Sequence, residues 1–224
     1  GIDISGQLRL AAQRYRAYGN DFFPGPLTTD GLATIDPSVC AQHDQVYTLY
    51  RSDVEDFLGW FENQSAYPNY SIPSYFFTYP AHGNTAIGQS YYLAPFFDYN
   101  DDGLYNPYDG DYPYYDIDNA LCDTGWPTME GLQGTVTSSS LYDQVLKGDQ
   151  TIWWVFNDKG NAHTETQGLP IGVEIRAQAY AYQTNNELNN ATFYSYEIIN
   201  RSTYQLQETY VAVFSDFDVG DGHD

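Results

Sequence analysis

The chain has 224 residues, of which 30 are Asp or Glu and 8 are Lys or Arg, so its formal net charge is −22. Phosphate backbones are bound by basic side chains, and this charge therefore argues against nucleic acid and anionic membrane surfaces as partners. The sequence has no run of about 18 apolar residues, so we expect no membrane insertion. Because like charges repel one another in a folded chain, bound cations are the expected offset, with an acidic solvated surface as the alternative.

Aromatic side chains dominate the apolar residues: there are 23 Tyr, 12 Phe and 4 Trp, against one Met. Aromatic and β-branched residues fit the pleated, half-buried surface of a sheet. Tyrosine also suits contact surfaces, because its ring is apolar and its tip is polar. The composition therefore predicts a mostly-β fold rather than a helical bundle.

The first part of the chain carries two helix signals. A short helix is expected around Leu8 to Arg16, followed by loops. A clearer helix is predicted from Ser52 to Glu62, where Ser52 and Glu55 have the spacing of a capping box. Its apolar residues fall at i, i+3, i+4 and i+7 and form one core-facing stripe: Val54, Phe57, Leu58 and Phe61.

Residues 64–146 show little periodicity. Pro, Gly and Tyr interrupt this stretch, and no Lys or Arg occurs between Arg51 and Lys147. Loops of this length are uncommon in compact domains unless they are functional or held in place by something else. We therefore expect a bound group to fix part of the stretch.

The last third of the chain reads as strands. Four segments are rich in aromatic and β-branched residues or alternate in polarity: Thr151–Asn157, Ile171–Gln183, Ala191–Asn200 and Glu208–Phe217. Their turn-prone connections predict an antiparallel sheet in a β-sandwich-like domain, with one short helix and long calcium-clamped loops. With no internal repeat or linker, residues 1–224 are treated as one β-rich module: a loop- and helix-rich part, 1–146, and a strand-rich part, 147–224.

The strongest local motif is DYNDDGLYNPYDGDYP, residues 98–113. It matches the D-x-[DN]-x-[DN]-G-x₅-acid spacing of a calcium loop, in which alternate oxygen ligands converge at a sharp turn. The predicted Ca²⁺ ligands are Asp98, Asn100, Asp102, the Leu104 carbonyl and Asp109, with Asp111 as a further donor. The alternative is an acidic turn in solvent. Two prolines would break a helix after the loop, so we expect a structural site and not an EF-hand sensor.

A weaker calcium candidate stands at the end of the sequence, at Asp216, Asp218 and Asp221. A solvated turn is the alternative. The acidic cluster is cut off directly after a predicted core strand, so we expect the chain to be a fragment of a longer protein.

Six blocks occur in a characteristic order: GNDFFPGP, APFFDYNDDGLYNPYDGDYP, KGDQTIWWVFNDKGNAH, GLPIGVEIRAQAYAY, LNNATFYSYEIINRS and TYVAVFSDFDVGD. In this the chain resembles the N-terminal region of large Bacteroidota surface proteins, similar to those exported by the type IX secretion system with a C-terminal sorting domain. The resemblance implies a cell-surface or extracellular location and a multidomain protein, without implying a known reaction. Residues 113–147 depart from it as an insertion.

The sequence offers no catalytic motif, neither H-E-x-x-H nor G-x-S-x-G, so we assign no catalytic residues and do not expect an enzyme. His163 is interpreted as a hydrogen-bonded turn residue. The expected role is structural, in assembly or adhesion, with the same chain or other surface proteins as partners.

A carbohydrate-binding or glycan-hydrolysing domain is the alternative function. Its candidate contact residues are Trp153, Trp154, Tyr180 and Tyr182. Neighbouring residues in a strand point to opposite faces, so we expect at least one of the two tryptophans in the core. Paired carboxylates could support hydrolysis, but the sequence singles out no pair.

The chain has two cysteines, Cys40 and Cys122. A disulfide is plausible in an oxidising compartment. Sequence separation does not decide between that bond and two buried thiols.

Overall fold

A computed structural model describes residues 1–14, 18–114 and 146–215 of the chain. This part of the protein is mostly β, as the sequence predicts, with two α-helices among the described residues. The strands are β1 (Ile2–Asp3), β2 (Phe23–Pro24), β3 (Tyr47–Tyr50), β4 (Phe96–Phe97), β5 (Tyr112–Pro113), β6 (Gln150–Asn157), β7 (Val173–Ala181), β8 (Thr192–Asn200) and β9 (Leu206–Gln207). The helices are α1 (Pro37–Gln42) and α2 (Arg51–Glu62).

The main sheet has the strand order β2-β6-β7-β8, with β3 also paired to β6. Both β2 and β3 run antiparallel to β6. Two short ribbons, β1 with β9 and β4 with β5, are antiparallel as well. The antiparallel sheet is thus confirmed, and the sandwich arrangement stays a prediction.

Three of the four predicted long strands are present, as β6, β7 and β8. The fourth prediction, Glu208–Phe217, is wrong over the described residues 208–215, which form no strand. The side chains of Tyr210, Val211, Val213 and Phe214 there are 68–85% exposed. Apolar residues form a strand only where another strand pairs with them. The local sequence does not show whether such a partner exists, so the pattern at 208–215 gave a wrong prediction.

Helix α2 confirms the predicted helix, but not its capping box. The helix begins one residue earlier than predicted, and its N-cap is Tyr50, which makes no side-chain cap bond. Strand β3 runs directly into the helix, so Ser52 lies inside the first turn. The predicted core stripe is largely buried, with Val54 and Phe57 fully inaccessible.

The helix predicted around Leu8 to Arg16 is wrong over the described residues, which end there at residue 14: Leu8 and Arg9 make isolated β-bridges, and residues 10–14 form no helix. The side chain of Arg9 holds this segment in place through hydrogen bonds to other parts of the chain. Arg9 donates from Nε to Asp3 at 2.9 Å and from Nη1 to the carbonyl oxygen of Pro170 at 2.6 Å. Helix α1 was not predicted, although the sequence contains its start signal: Asp36 is the N-cap, and Pro37 is the first helical residue.

The chain folds into two compact units. Of the described residues, the first contains 1–14, 18–44, 155–175 and 198–215, and the second contains 45–114, 146–154 and 176–197. In the described residues of both units, no helix has the length and apolar character needed to cross a membrane.

Buried acids organise the first unit. Asp158, fully buried, accepts hydrogen bonds from the backbone amides of three consecutive residues, Ile171, Gly172 and Val173. Asp21, also fully buried, accepts from the amide of Glu165 at 3.0 Å. Irregular chain leaves many amides without ladder partners, and these carboxylates satisfy them. Some of the acidic residues therefore have a structural role. This role differs from both explanations that the sequence suggested, a solvated acidic surface and cation binding.

Aromatic packing builds the core of the second unit. Phe57 of α2 contacts Phe76 and Tyr112, with ring centroids 5.5 and 6.3 Å apart. Trp60, one turn further along α2, stacks on Tyr70 at 5.4 Å. Phe76 lies in the 3₁₀ segment Ser74–Thr78, Tyr112 lies in β5, and Tyr70 lies in the irregular chain between α2 and that segment. All three rings come from the long stretch after α2, so aromatic contacts hold much of its described part.

Candidate functional site

The predicted calcium loop lies in the second unit and forms a tight turn. Asp98 accepts hydrogen bonds from the amide of Gly103 at 2.7 Å and from the amide of Asp102 at 3.3 Å. The side-chain oxygen of Asn100 accepts from the same Asp102 amide at 3.2 Å. Asp102 in turn accepts from the amide of Leu104 at 2.8 Å. Three oxygen-bearing side chains therefore gather around one turn.

Two backbone conformations produce this turn. Asp101 has φ +57° and Gly103 has φ +75°, both in the left-handed region. Glycine adopts that region without steric cost, and Asp tolerates it better than most residues. The alternation of side chains that point inward, at positions 98, 100 and 102, follows from this local path.

The next predicted ligand, Asp109, lies in a separate turn. It ends the 3₁₀ segment Pro107–Asp109, and its carboxylate accepts a hydrogen bond from the side-chain amide of Asn106 at 2.6 Å. The side chain of Asp109 is exposed, as is that of Asp102. Exposed carboxylates remain open to cations from solvent.

Asp111 differs from the other predicted ligands because it is fully buried. Its two carboxylate oxygens accept hydrogen bonds from the amides of Tyr99 and Asn106, both at 2.8 Å. Burial raises the pKa of Asp111 to about 6; the two amide hydrogen bonds lower it, and the charges of Asp98 and Asp102 raise it. A cation near this group would relieve both the desolvation and the repulsion.

The structure thus brings Asp98, Asn100 and Asp102 together, places Asp109 on the following turn and buries Asp111 beneath backbone amides. Within residues 1–14, 18–114 and 146–215, no three side chains drawn from His, Cys, Asp and Glu meet as a metal-binding group. A cation here would therefore use the Asn100 amide oxygen and backbone carbonyls as well as carboxylates, a donor set that suits Ca²⁺. The weaker candidates Asp216, Asp218 and Asp221 lie outside the described residues.

A histidine connects the predicted calcium loop to the aromatic core of its unit. The Nε2 atom of His82 accepts a hydrogen bond from the amide of Tyr105 at 3.0 Å, and its Nδ1 lies 3.2 Å from the carbonyl oxygen of Tyr91. The hydroxyl of Tyr91 donates to the carbonyl of Gly103 at 2.9 Å. Burial lowers the pKa of His82, which matches the neutral ring that these contacts require.

The four aromatic residues proposed for carbohydrate contact occupy different environments. Trp153 is 1% exposed and belongs to the core, which confirms the expectation that one tryptophan is buried. Trp154, Tyr180 and Tyr182 are half-buried. Tyr180 stacks on Phe193 with centroids 5.2 Å apart and ring planes 13° apart.

Two exposed tyrosines of β8 were not singled out from the sequence. Tyr194 is 58% exposed and Tyr196 is 47% exposed, and their ring planes lie within 6° of each other. The edge of Trp154 contacts Tyr196, with centroids 6.5 Å apart. The signal was the alternation in TFYSYEIIN, which places both tyrosines on one face of the strand.

His163 has the structural role expected for it. The ring lies in the first unit, where its Nδ1 is 2.7 Å from the carbonyl oxygen of Leu10 and its Nε2 contacts the carbonyl oxygen of Asp158. The side chain is inaccessible to solvent. A ring enclosed in this way ties the segment around Leu10 to the loop that carries Asp158 and His163.

Cys40 lies in α1 and is partly buried, and burial raises the pKa of its thiol. Cys122 lies outside the described residues, so the disulfide stays a prediction. Comparison of the chain with protein-family models, with curated proteins and with solved structures gives no match.

Proposed function

We propose that this chain is a calcium-stabilised module of a bacterial extracellular or cell-surface protein, with a structural, assembly or adhesion role. The observation that carries the proposal is the convergence of Asp98, Asn100 and Asp102 on the turn at Gly103. Ca²⁺ prefers hard oxygen ligands of this kind and tolerates the irregular geometry of a loop.

Electrostatics support the presence of a cation. The loop sequence carries Asp98, Asp101, Asp102 and Asp109 with no Lys or Arg nearby in the chain, and the whole protein has a formal net charge of −22. A divalent cation would offset local repulsion and fix the turn that leads back to the aromatic core. The ion would therefore act on stability and not on a reaction.

Calcium use also supports an extracellular location. Extracellular calcium modules bind with dissociation constants of roughly 10⁻⁴–10⁻³ M. A loop with two gathered carboxylates and one amide is suited to that weak range. The resemblance to exported surface proteins supports the same location.

The exposed face around Tyr194, Tyr196 and Trp154 is the proposed contact surface for assembly or adhesion. Protein interfaces are enriched in tyrosine and tryptophan, whose rings give large contact areas with few rotatable bonds. The partner would be a second copy of the chain or another surface protein.

Calcium titration of EDTA-treated protein by isothermal calorimetry tests the proposal. We expect binding of Ca²⁺ to exceed binding of Mg²⁺, and Asp98→Asn or Asp102→Asn to weaken it by about tenfold or more. Asp101→Asn is the matched control, because it removes the same charge from a residue that the ligand prediction excludes. No binding, or equal weakening by all three substitutions, would contradict a site built from positions 98 and 102.

Glycan contact is the second candidate function. One observation favours it: the half-buried stacked pair of Tyr180 and Phe193 lies beside polar residues of the same two strands. Aromatic rings next to hydrogen-bonding groups are the chemistry that sugar rings require.

A further inference from the structure

A small recess in the second unit contains a buried amide without a partner among the described residues. Gln178 of β7 is 3% exposed, and within that part of the chain neither its side-chain nitrogen nor its side-chain oxygen has a hydrogen-bond partner. Buried polar groups in folded proteins are almost always hydrogen-bonded, and leaving one unpaired costs stability. An unpaired amide that borders an open recess therefore points to a group that enters from outside.

The recess has a volume of about 40 Å³. Its lining combines four polar and three apolar residues: Arg176, Gln178, Ser195 and Glu197 with Leu93, Pro95 and Trp153. This volume holds a few water-sized groups and no complete ring. Only the edge of a larger molecule could enter.

The polar lining selects a neutral group. Arg176 and Glu197 carry opposite charges, with Nη1 and Oε2 3.9 Å apart, so neither a cation nor an anion is favoured. The amide of Gln178 and the hydroxyl of Ser195 each donate and accept hydrogen bonds. Hydroxyl groups do the same, and they match this lining better than groups that only donate or only accept.

An aromatic platform adjoins the recess. Tyr180 lies two residues beyond Gln178 on the same face of β7, and Phe193 lies two residues before Ser195 on the same face of β8. The two rings stack with centroids 5.2 Å apart. Because the two rings cover one face of each other, a sugar ring would lie against an outer face of the stacked pair, with its hydroxyl edge toward the recess.

We infer that the recess at Gln178 is a subsite for the hydroxyl edge of a neutral saccharide whose ring packs against an outer face of the Tyr180–Phe193 pair. This inference rests on the second candidate function and names the site at which it would operate. The structural calcium site is independent of it.

Ligand-detected saturation-transfer NMR tests the inference in calcium-containing buffer. The probes are the methyl glycosides of glucose, galactose, mannose, xylose and N-acetylglucosamine, with tetrasaccharides of glucose, xylose and mannose. We expect at least one neutral probe to bind, and glucuronate and glucosamine to bind more weakly. Absence of binding by every neutral probe would overturn both the inference and the glycan function, while leaving calcium binding untouched.

Substitutions then locate the site. Calorimetry should show that Gln178→Leu weakens the binding of a positive probe by about tenfold or more, while the control Gln183→Leu, at an exposed glutamine, leaves it unchanged. If Gln178→Leu bound the probe as tightly as the wild type and Tyr194→Ser lost the binding, the recess would not be the subsite. The glycan would then contact the other face of β8.

A stability measurement separates ligand binding from a purely structural role of the amide. Leu has a similar size and needs no hydrogen bond, so Gln178→Leu should unfold at the same or a higher urea concentration than the wild type. A clear decrease in the urea midpoint would show that the amide is satisfied within the protein, and it would overturn the inference.

Discussion

Arg201 binds the buried carboxylate of Glu174 through two hydrogen bonds, with Nη2–Oε1 at 3.0 Å and Nε–Oε2 at 3.2 Å. Glu174 also accepts from the backbone amide of Leu27 at 3.0 Å, and its side chain is inaccessible to solvent. The pair therefore joins the first residues of β7 to two loops, all within the first unit. Bidentate hydrogen bonding between an arginine and a carboxylate is among the stronger polar contacts in proteins.

Arg201→Met should destabilise the protein by about 3 kcal/mol or more, because it leaves a buried carboxylate without its cation. Urea unfolding measures the change. The double variant Arg201→Met with Glu174→Gln should recover part of the loss, since the neutral amide still accepts from Leu27. A loss below about 0.5 kcal/mol in the single variant would contradict the assigned role.

Replacement of Asn157 by alanine should destabilise the protein less than its replacement by aspartate. Its side-chain nitrogen donates to the carbonyl oxygens of Phe23 at 3.1 Å and Gly25 at 2.9 Å, and the residue is fully buried. Asn157→Asp would direct a charged acceptor at these carbonyls, and Asn157→Ala would leave a cavity. We expect the Asp variant to be less stable than the Ala variant in urea unfolding at neutral pH. The reverse order would contradict this account of how β2 is held to β6.

Stability should fall as the pH falls through the histidine range. Burial lowers the pKa values of His82 and His43 in the folded state, so the unfolded chain binds protons more readily below about pH 6.5. The stabilising effect of the neutral rings is present above that pH and is lost as the pH decreases. For His82, protonation of Nε2 also breaks its bond with the amide of Tyr105.

The variant His82→Gln should flatten this pH dependence in part. Glutamine can accept from the same amide and does not titrate, while His43 retains its share. Urea unfolding of metal-free protein between pH 5 and 8 measures the effect. Asp111, whose pKa burial raises to about 6, acts in the opposite direction, because its ionisation above that pH costs stability. An unaltered pH profile in His82→Gln would contradict the assignment.

Sequence patterns predicted the elements that depend on local periodicity. Strands β6, β7 and β8 and helix α2 follow from their alternation or apolar stripe. The segment 208–215 has similar residues but no pairing partner among the described residues, so the same pattern gave a wrong strand. Pairing depends on residues distant in sequence, which local patterns do not contain.

The acidic residues also show that local sequence patterns do not reveal contacts between residues distant in sequence. Their spacing predicted cation binding at Asp98, Asn100 and Asp102, and the structure does gather these three side chains. Asp21 had no comparable signal, because the amide of Glu165 that it binds lies 144 residues away in sequence. Buried acids that satisfy distant amides can be found only once the fold is known.

The calcium site is the central claim, and thermal unfolding with excess Ca²⁺ and then with EDTA tests it most directly. A ligand that binds only the folded state at one hundred times its dissociation constant stabilises it by about 2.7 kcal/mol. For a chain of this size, that corresponds to roughly 5–10 °C in Tm. We predict a decrease of this order with EDTA, and calcium should restore the original Tm. In Asp102→Asn, whose calcium site is about tenfold weaker or more, the decrease should fall to about half or less, whereas Asp101→Asn should retain it. An unchanged Tm, together with elemental analysis that finds no metal in the protein, would contradict the claim and leave residues 98–111 as an acidic turn in solvent.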